Sequence, residues 1–102
     1  MSRTPVLPKL DPVVHEPARL RLLVLLAMVD SADFMFLLRQ ADLSRGNLSV
    51  QMKRLEEAGL VTVSKSVVGS RVRTSYALSP SGRRALTGYR ESMLDLLSAV
   101  PS

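Results

Sequence analysis

SRGNLSVQMKRLEEAGLVTVSKSVVGSRVRTSYALSP, residues 44–80, changes its hydrophobic period twice, and those two changes decide the fold. Ser44 opens the stretch as a helix N-cap, its hydroxyl suited to a free backbone N–H of the first turn. Leu48, Met52 and Leu55 recur at helical spacing through a helix over 45–58, and Gly59 stands where a left-handed residue stops a helix. Beyond it the period falls to two. Leu60–Ser66 (LVTVSKS) alternates apolar and polar and is rich in β-branched residues, the pattern of a strand with one buried face. Gly69 and Ser70 signal a turn, and Thr74–Leu78 (TSYAL) reads as the returning strand. Ser79 and Pro80 then form a cap and first-position pair for a further helix over about 80–98.

Working back towards the start, Asp33 caps a helix whose buried stripe is Phe34, Leu37, Leu38 and Ala41 and which ends near Gln40–Asp42. Only a few residues separate it from the helix at 45, the spacing of a helix-turn-helix. A first helix begins at Pro17, whose missing N–H has no intrahelical role at that position, and runs to about Val29. Leu20, Leu23, Val24 and Ala27 form one stripe, while Leu22, Leu25, Leu26 and Val29 cover other faces. A helix apolar almost all round needs cover on more than one side, and a second subunit is the expected source. Residues 1–10, with two prolines and little periodicity, read as a flexible arm, and 11–100 as one folded domain. The expected class is mainly α with a small β-hairpin: a winged helix-turn-helix with a three-helix core, a two-stranded wing and a C-terminal helix.

Composition narrows the function. The 102 residues suffice for a single modest core, and with 46% apolar and 23% charged residues they are ordinary for a soluble domain. There is no cysteine, which excludes disulfides, thiolate metal sites and thiol redox sensing. No nucleophile is paired with a base, no glycine-rich phosphate loop occurs, and the one histidine, His15, has no partners for a metal site, so neither an enzyme nor a cofactor or metal is expected. The run Leu22–Val29 behind Arg19 and Arg21 imitates a signal-peptide core, but Asp11, Glu16 and four prolines precede it. It also falls far short of the ~20 apolar residues of a membrane span. A cytoplasmic protein without a membrane partner is expected. The net charge of +5 is unevenly placed: residues 43–84 carry eight basic residues against only Glu56 and Glu57, whereas the rest is nearly neutral. A polyanion would dock on that half.

The unit GNLSVQMKRLEEAGLV (46–61), the wing SKSVVGSRVRTSYAL (64–78), the junction LSPSGRRAL (78–86) and the opening DPVVHEPARLRLLVLL (11–26) together resemble winged-helix transcriptional regulators of the MarR and ArsR type. The likeness is greatest to short stand-alone members and spans roughly 11–98. It implies a double-stranded DNA partner, with helix 45–58 in the major groove and the wing, 64–76, on the backbone or in the minor groove.

Stepping 100° per residue with Leu48 inward puts Gly46, Asn47, Val50, Lys53, Arg54 and Glu57 on the outer half of the third helix, with Ser49 and Gln51 at its flanks. Asn47 or Gln51 can bond an adenine edge, Val50 can pack on a thymine methyl, and Lys53 or Arg54 can reach guanine or phosphate. Asn47 can equally satisfy a local backbone N–H of the first turn. Arg71 and Arg73, two apart on a hairpin arm, share a face and suit a phosphate backbone or a narrow minor groove; charge that guards a sheet edge is the competing explanation. The candidate DNA contacts are thus Ser44, Arg45, Asn47, Ser49, Val50, Gln51, Lys53 and Arg54 from the helix, with Lys65, Arg71 and Arg73 from the wing. Arg83 and Arg84 sit against the dipole at the start of the last helix, and Arg3 and Lys9 lie in the arm.

Leu86, Tyr89, Met93, Leu96 and Val100 are spaced 3, 4, 3 and 4 apart, and Leu97 widens their stripe. A homodimer seam is expected there, joined by Leu22 and Leu26 of the first helix. The sequence defines no pocket for a small-molecule effector. A different class of function, a winged helix used only to bind protein, is disfavoured by the basic recognition face.

Overall fold

Each helix begins where a side chain takes up the backbone N–H groups that the helix itself leaves free. In the computed structural model, which describes residues 6–102, α1 (Pro17–Ala27) is capped by the Glu16 carboxylate, accepting from the N–H of Ala18 and Arg19. Asp33 caps α2 (Phe34–Ala41), Ser44 caps α3 (Arg45–Glu57) and Ser79 caps α4 (Pro80–Ser98). Each of these last three oxygens accepts from the N–H three residues on, at 2.8, 3.1 and 2.9 Å. The turn between α2 and α3 is made by Asp42, left-handed at φ 57°, a conformation that a short polar side chain tolerates better than most. α3 stops at Gly59, φ +75°, with Gly59 N–H donating to the Glu56 carbonyl and Leu60 N–H to that of Leu55. That double bond is the Schellman arrangement, for which a glycine avoids the Cβ penalty.

Strands β2 (Val61–Val68) and β3 (Arg71–Leu78) pair antiparallel from Val61↔Leu78 to Val68↔Arg71. The two-residue connection has positive φ only at Gly69, as a type II′ turn requires. Both strands run closer to the turn than the alternation in the sequence indicates, so Arg71 and Arg73 lie within the ladder. A third strand, β1 (Ala32–Asp33), pairs with the other edge of β3, giving the order β1-β3-β2. The expected two-stranded wing is therefore part of a three-stranded sheet whose extra strand is two residues long. The architecture is otherwise the winged helix-turn-helix read from the sequence.

The core is built from Leu22, Leu23 and Leu26 of α1, Leu37 and Ala41 of α2, Leu48, Met52 and Leu55 of α3, and Val14, Leu60, Val61 and Tyr89. This corrects the reading of the first helix. Leu22 and Leu26 are fully enclosed within the single chain, so they offer no surface to a second subunit, and Val24 is the exposed member instead. Tyr89 is likewise buried, its hydroxyl 2.9 Å from His15 Nδ1. The N-terminal segment is tied down at Leu10 and Val13, which pack against the core; Arg3 lies outside the described residues. The molecule is elongated: its radius of gyration is 16.6 Å, against about 13 Å for a compact chain of this length.

Besides the contacts of Tyr89, α4 is joined to the rest of the molecule through hydrogen bonds at its first turn. Ser79 N–H donates to the Leu60 carbonyl at 3.0 Å, and Ser79 Oγ donates to the Gly59 carbonyl at 2.7 Å. A Cβ on Gly82 would overlap the Leu60 carbonyl, whereas one on Gly88 would meet nothing. Gly82→Ala should therefore cost at least about 1–3 kcal/mol through overpacking. Gly88→Ala, in the same helix, should gain up to about 1 kcal/mol from helix propensity. Urea denaturation of the two variants checks both signs.

Candidate nucleic-acid interface

The outward face of α3 follows from which residues its core stripe consumes. With Leu48, Met52 and Leu55 buried, Arg45, Asn47, Ser49, Val50, Lys53 and Arg54 are all exposed, and Gln51 is half-buried at the edge facing α1. Val50 is 63% exposed, an apolar side chain outside the core. Asn47 is not a local cap. Ser44 Oγ accepts the Asn47 N–H, and the Asn47 side chain instead accepts from Gln51 Nε2 at 3.0 Å. Gln51 Oε1 in turn accepts from Arg19 Nη1 of α1, also at 3.0 Å. Arg45 leans on Met35, its Nη2 3.6 Å from the sulfur.

The register of the hairpin divides the basic residues of the wing between two faces. Val63 pairs with Tyr76 and Lys65 with Thr74, on the side of the sheet that faces α3. There an open cleft of about 300 Å³ is lined by Ser49, Lys53, Glu56, Lys65, Thr74 and Tyr76. Burial, and secondarily the charge of Glu56, push the Tyr76 phenol above its ordinary pKa, so it remains a neutral hydroxyl at the base of the cleft. Arg71 and Arg73 pair with Val68 and Ser66 and occupy the opposite face, as Asp33↔Ser75 does. They share a second cleft, of about 480 Å³, with Asp33, Phe34, Met35 and Arg39. The one ion pair there, Arg73 Nε to Asp33 Oδ2, spans 4.0 Å between partly exposed groups and contributes little. Lys65 and the two wing arginines thus flank the wing rather than forming one row. Arg39 joins the arginines as a third cation that the sequence alone does not bring to them. The wing tip between these faces exposes Val67, Val68 and Val72.

The remaining charged candidates lie apart from this surface. Arg84 Nη2 donates to Ser81 Oγ at 3.2 Å and Arg83 is exposed, while Lys9 lies beside Pro12 and Ser92 in the N-terminal segment. His15 is spent on Tyr89, and among the described residues no group of three acidic, histidine or cysteine side chains is placed to hold a metal. No described helix is long and apolar enough to cross a membrane. On the far side of the molecule, α1 and α4 leave an apolar groove of about 380 Å³ lined by Leu20, Val24, Leu86, Tyr89, Met93 and Leu94. Of the residues expected at a seam, Leu86, Met93 and Leu96 are half-buried, and Leu97 and Val100 are exposed. Leu20 and Val24, members of the stripe read on the first helix but not assigned to the seam, belong to the same apolar surface with Leu94.

The family model described as the winged helix DNA-binding domain matches residues 18–97. An uncharacterized protein of Methanocaldococcus jannaschii is 33% identical over 84 residues, covering 82% of this chain and 91% of that one. Among solved structures, a transcriptional regulator homologue from Pyrococcus horikoshii superposes with a TM-score of 0.77 at 27% identity, over 84% of this chain and 85% of its own. A MarR-family regulator from Silicibacter pomeroyi shares the fold, with a TM-score of 0.62 at 24% identity, over 84% of this chain and 55% of its own.

The start of α1, which reaches α3 through Arg19, is held by charge as well as by hydrogen bonds. Burial alone would raise the Glu16 carboxyl, but the N–H groups of Arg19 and Ala18 and the Arg19 charge outweigh it and hold its pKa below the ordinary 4.5. A depressed carboxyl stabilises the fold above its unfolded pKa and ceases to do so as pH falls through the folded value. Stability should therefore decline below about pH 4.5, and the decline should be shallower in Glu16→Gln, which keeps a capping oxygen but has no proton to take up. Urea midpoints of both proteins between pH 3 and 6 measure the difference.

Proposed function

The chain belongs to the winged helix DNA-binding domain family, and on that premise we propose that it is a transcriptional regulator that binds specific sequences of double-stranded DNA as a homodimer in the cytoplasm. The observation that carries this reading is the outward face of α3. It offers an amide, a hydroxyl, a bare valine and two cations, all exposed and none needed by the core. A structural helix has no use for such a set, whereas a major groove has one for each: donors and acceptors on base edges, a thymine methyl, and guanine or phosphate. Asn47, Ser49, Val50, Lys53 and Arg54 are the base-facing group, with Gln51 behind them. Ser44 and Arg45 stand at the helix start, where N–H groups and charge suit phosphate. Lys65 on one side of the wing, and Arg71 and Arg73 on the other, hold the backbone or the minor groove.

The dimer is supported by apolar surface that the single chain does not cover. Leu94, Leu97 and Val100 of the C-terminal segment and Val24 and Met28 at α1 are exposed, beside the half-buried Leu86, Met93 and Leu96. A two-fold seam along α4 covers them and presents two recognition helices to successive major grooves about 34 Å apart, so the operator should be an imperfect palindrome.

Two measurements test these points. A dimer that neutralises roughly 6–10 phosphates should show a log–log salt slope of about −5 to −9 in fluorescence anisotropy with duplex DNA, and binding that is absent at low salt overturns the proposal. Leu97→Glu places an unpaired charge in the seam while disturbing no enclosed core position. Sedimentation should then show the monomer, with operator affinity lost and the far-ultraviolet spectrum unchanged. A wild-type protein that sediments as a monomer at micromolar concentration overturns the dimer.

A further inference from the structure

Arg19 is held by several hydrogen bonds beside α3, yet it lies on α1, outside the exposed face of α3. Its Nε donates to the Val13 carbonyl at 2.6 Å and its Nη2 to that of Pro12 at 3.3 Å. Glu16 Oε2 stands 3.9 Å from Nη1, and the side chain is only 14% exposed. The segment that supplies those carbonyls is itself fastened to α4 through His15 and Tyr89. The fork is therefore locked on two sides, and the one bond it sends outward goes to Gln51 Oε1.

That bond determines the polarity of two amides. A guanidinium has five donors and no acceptor, so the Gln51 atom facing it has to be oxygen. Gln51 Nε2 then faces Asn47, and the Asn47 atom that receives it has to be oxygen as well. Asn47 Nδ2, with both of its hydrogens, is left to face away from α1 on the exposed face of α3. Without Arg19, both amides are free to turn over, and Asn47 can offer oxygen or nitrogen equally.

We propose that Arg19 is a positioning residue for base recognition, making Asn47 a donor and so selecting a base edge that presents acceptors. In the major groove the edge with two acceptors for the two Nδ2 hydrogens is guanine, with N7 and O6; thymine offers O4 alone, and the edge rejected is cytosine, whose N4 is a donor. Adenine is weaker than guanine here, because its N6 donor would have to share the Asn47 oxygen with Gln51. The inference rests on the proposal that α3 reads DNA, and it adds to it a residue that touches no DNA and fixes which atom does the reading.

The experiment uses the full chain, a duplex selected by it from a random-sequence library, and all single-base variants of that duplex. The position under Asn47 is located as the one whose preference Asn47→Ala abolishes. The wild type should prefer guanine to cytosine there by about fivefold or more. Arg19→Met should flatten the preference at that position alone, leaving the other positions and the affinity for scrambled duplex within about twofold. Arg19→Lys, still a pure donor, should retain part of the preference. Gln51→Glu keeps Arg19 in place but accepts from Asn47 Nδ2, turning the Asn47 oxygen outward, so the preference should move towards cytosine or adenine. Because this variant preserves the Arg19 anchor, it decides the matter even if Arg19→Met does not fold. A guanine preference that survives Arg19→Met, or that Gln51→Glu leaves in place, assigns Arg19 a purely structural role and overturns the inference. A wild type that selects no duplex overturns the DNA-reading proposal itself and this inference with it.

Discussion

The first turn of α4 lies so close to the end of α3 that only glycine fits at position 82, and the placement of everything downstream depends on that approach. Ser79 secures it from three directions: its N–H to the Leu60 carbonyl, its hydroxyl to the Gly59 carbonyl, and its oxygen accepting from Gly82. Gly59 and Leu60 are also the residues that close α3 by reversing the chain. The end of α3, the start of the wing and the root of α4 are thus one hydrogen-bonded joint. Ser79 is the buried polar residue at its centre, and it is fully partnered, as a buried hydroxyl must be if it is not to cost stability.

This joint explains why much of the fold was legible. A cap or a stop residue acts through its own backbone neighbours, so Asp33, Ser44, Ser79 and Gly59 could be placed from local sequence with no knowledge of packing. What escaped depends on contacts distant in sequence. β1 is two residues long and exists only because β3 lies beside it. Val67 and Val68 break the alternation, and both faces of the wing tip are exposed, so the burial that marks a strand does not extend to the ends of β2 and β3. On α1, leucines on every face gave the helical wheel nothing to choose between. Packing against α2 and α3 selected Leu22, Leu23 and Leu26 and left Val24 outside. The outer face of α3 was readable from its core stripe, but the arginine that orders its amides lies 32 residues from Gln51 and had no signal of its own.

The wing shows how a correct residue list can still conceal geometry. Counting charge treats Lys65, Arg71 and Arg73 as one basic edge. Pairing Lys65 with Thr74 and Arg73 with Ser66 separates them, because residues opposite each other share a face and the next pair along takes the other. A wing with cations on both faces and valines at its tip has the charge distribution that two phosphate rows, one on either side of it, would require. Arg39 strengthens the α2 side of that arrangement. The weak 4.0 Å contact with Asp33 leaves Arg73 free to exchange it for a phosphate at small cost.

α4 resolves the remaining tension between a small core and a long helix. Its 19 residues span about 28 Å, yet Tyr89 is its last buried residue, and beyond it only Ser92, Met93 and Leu96 are even partly covered. On a wheel of 100° per residue, its apolar side chains range from Leu96 through Tyr89, Leu86 and Leu97 to Leu94, about 160° of the circumference. The domain buries Tyr89 in that arc; Leu86, Met93 and Leu94 line the groove with Leu20 and Val24, and Leu97 is exposed. A helix that served only its own chain would be polar where Leu94 and Leu97 lie. Two constraints therefore meet in one element: its root is held to the end of α3 by the Ser79 joint, and its far half carries apolar side chains that its own chain leaves exposed. Joining two such copies along their far halves would fix the separation of the two recognition helices, because the rigid root leaves α4 little freedom to swing relative to α3.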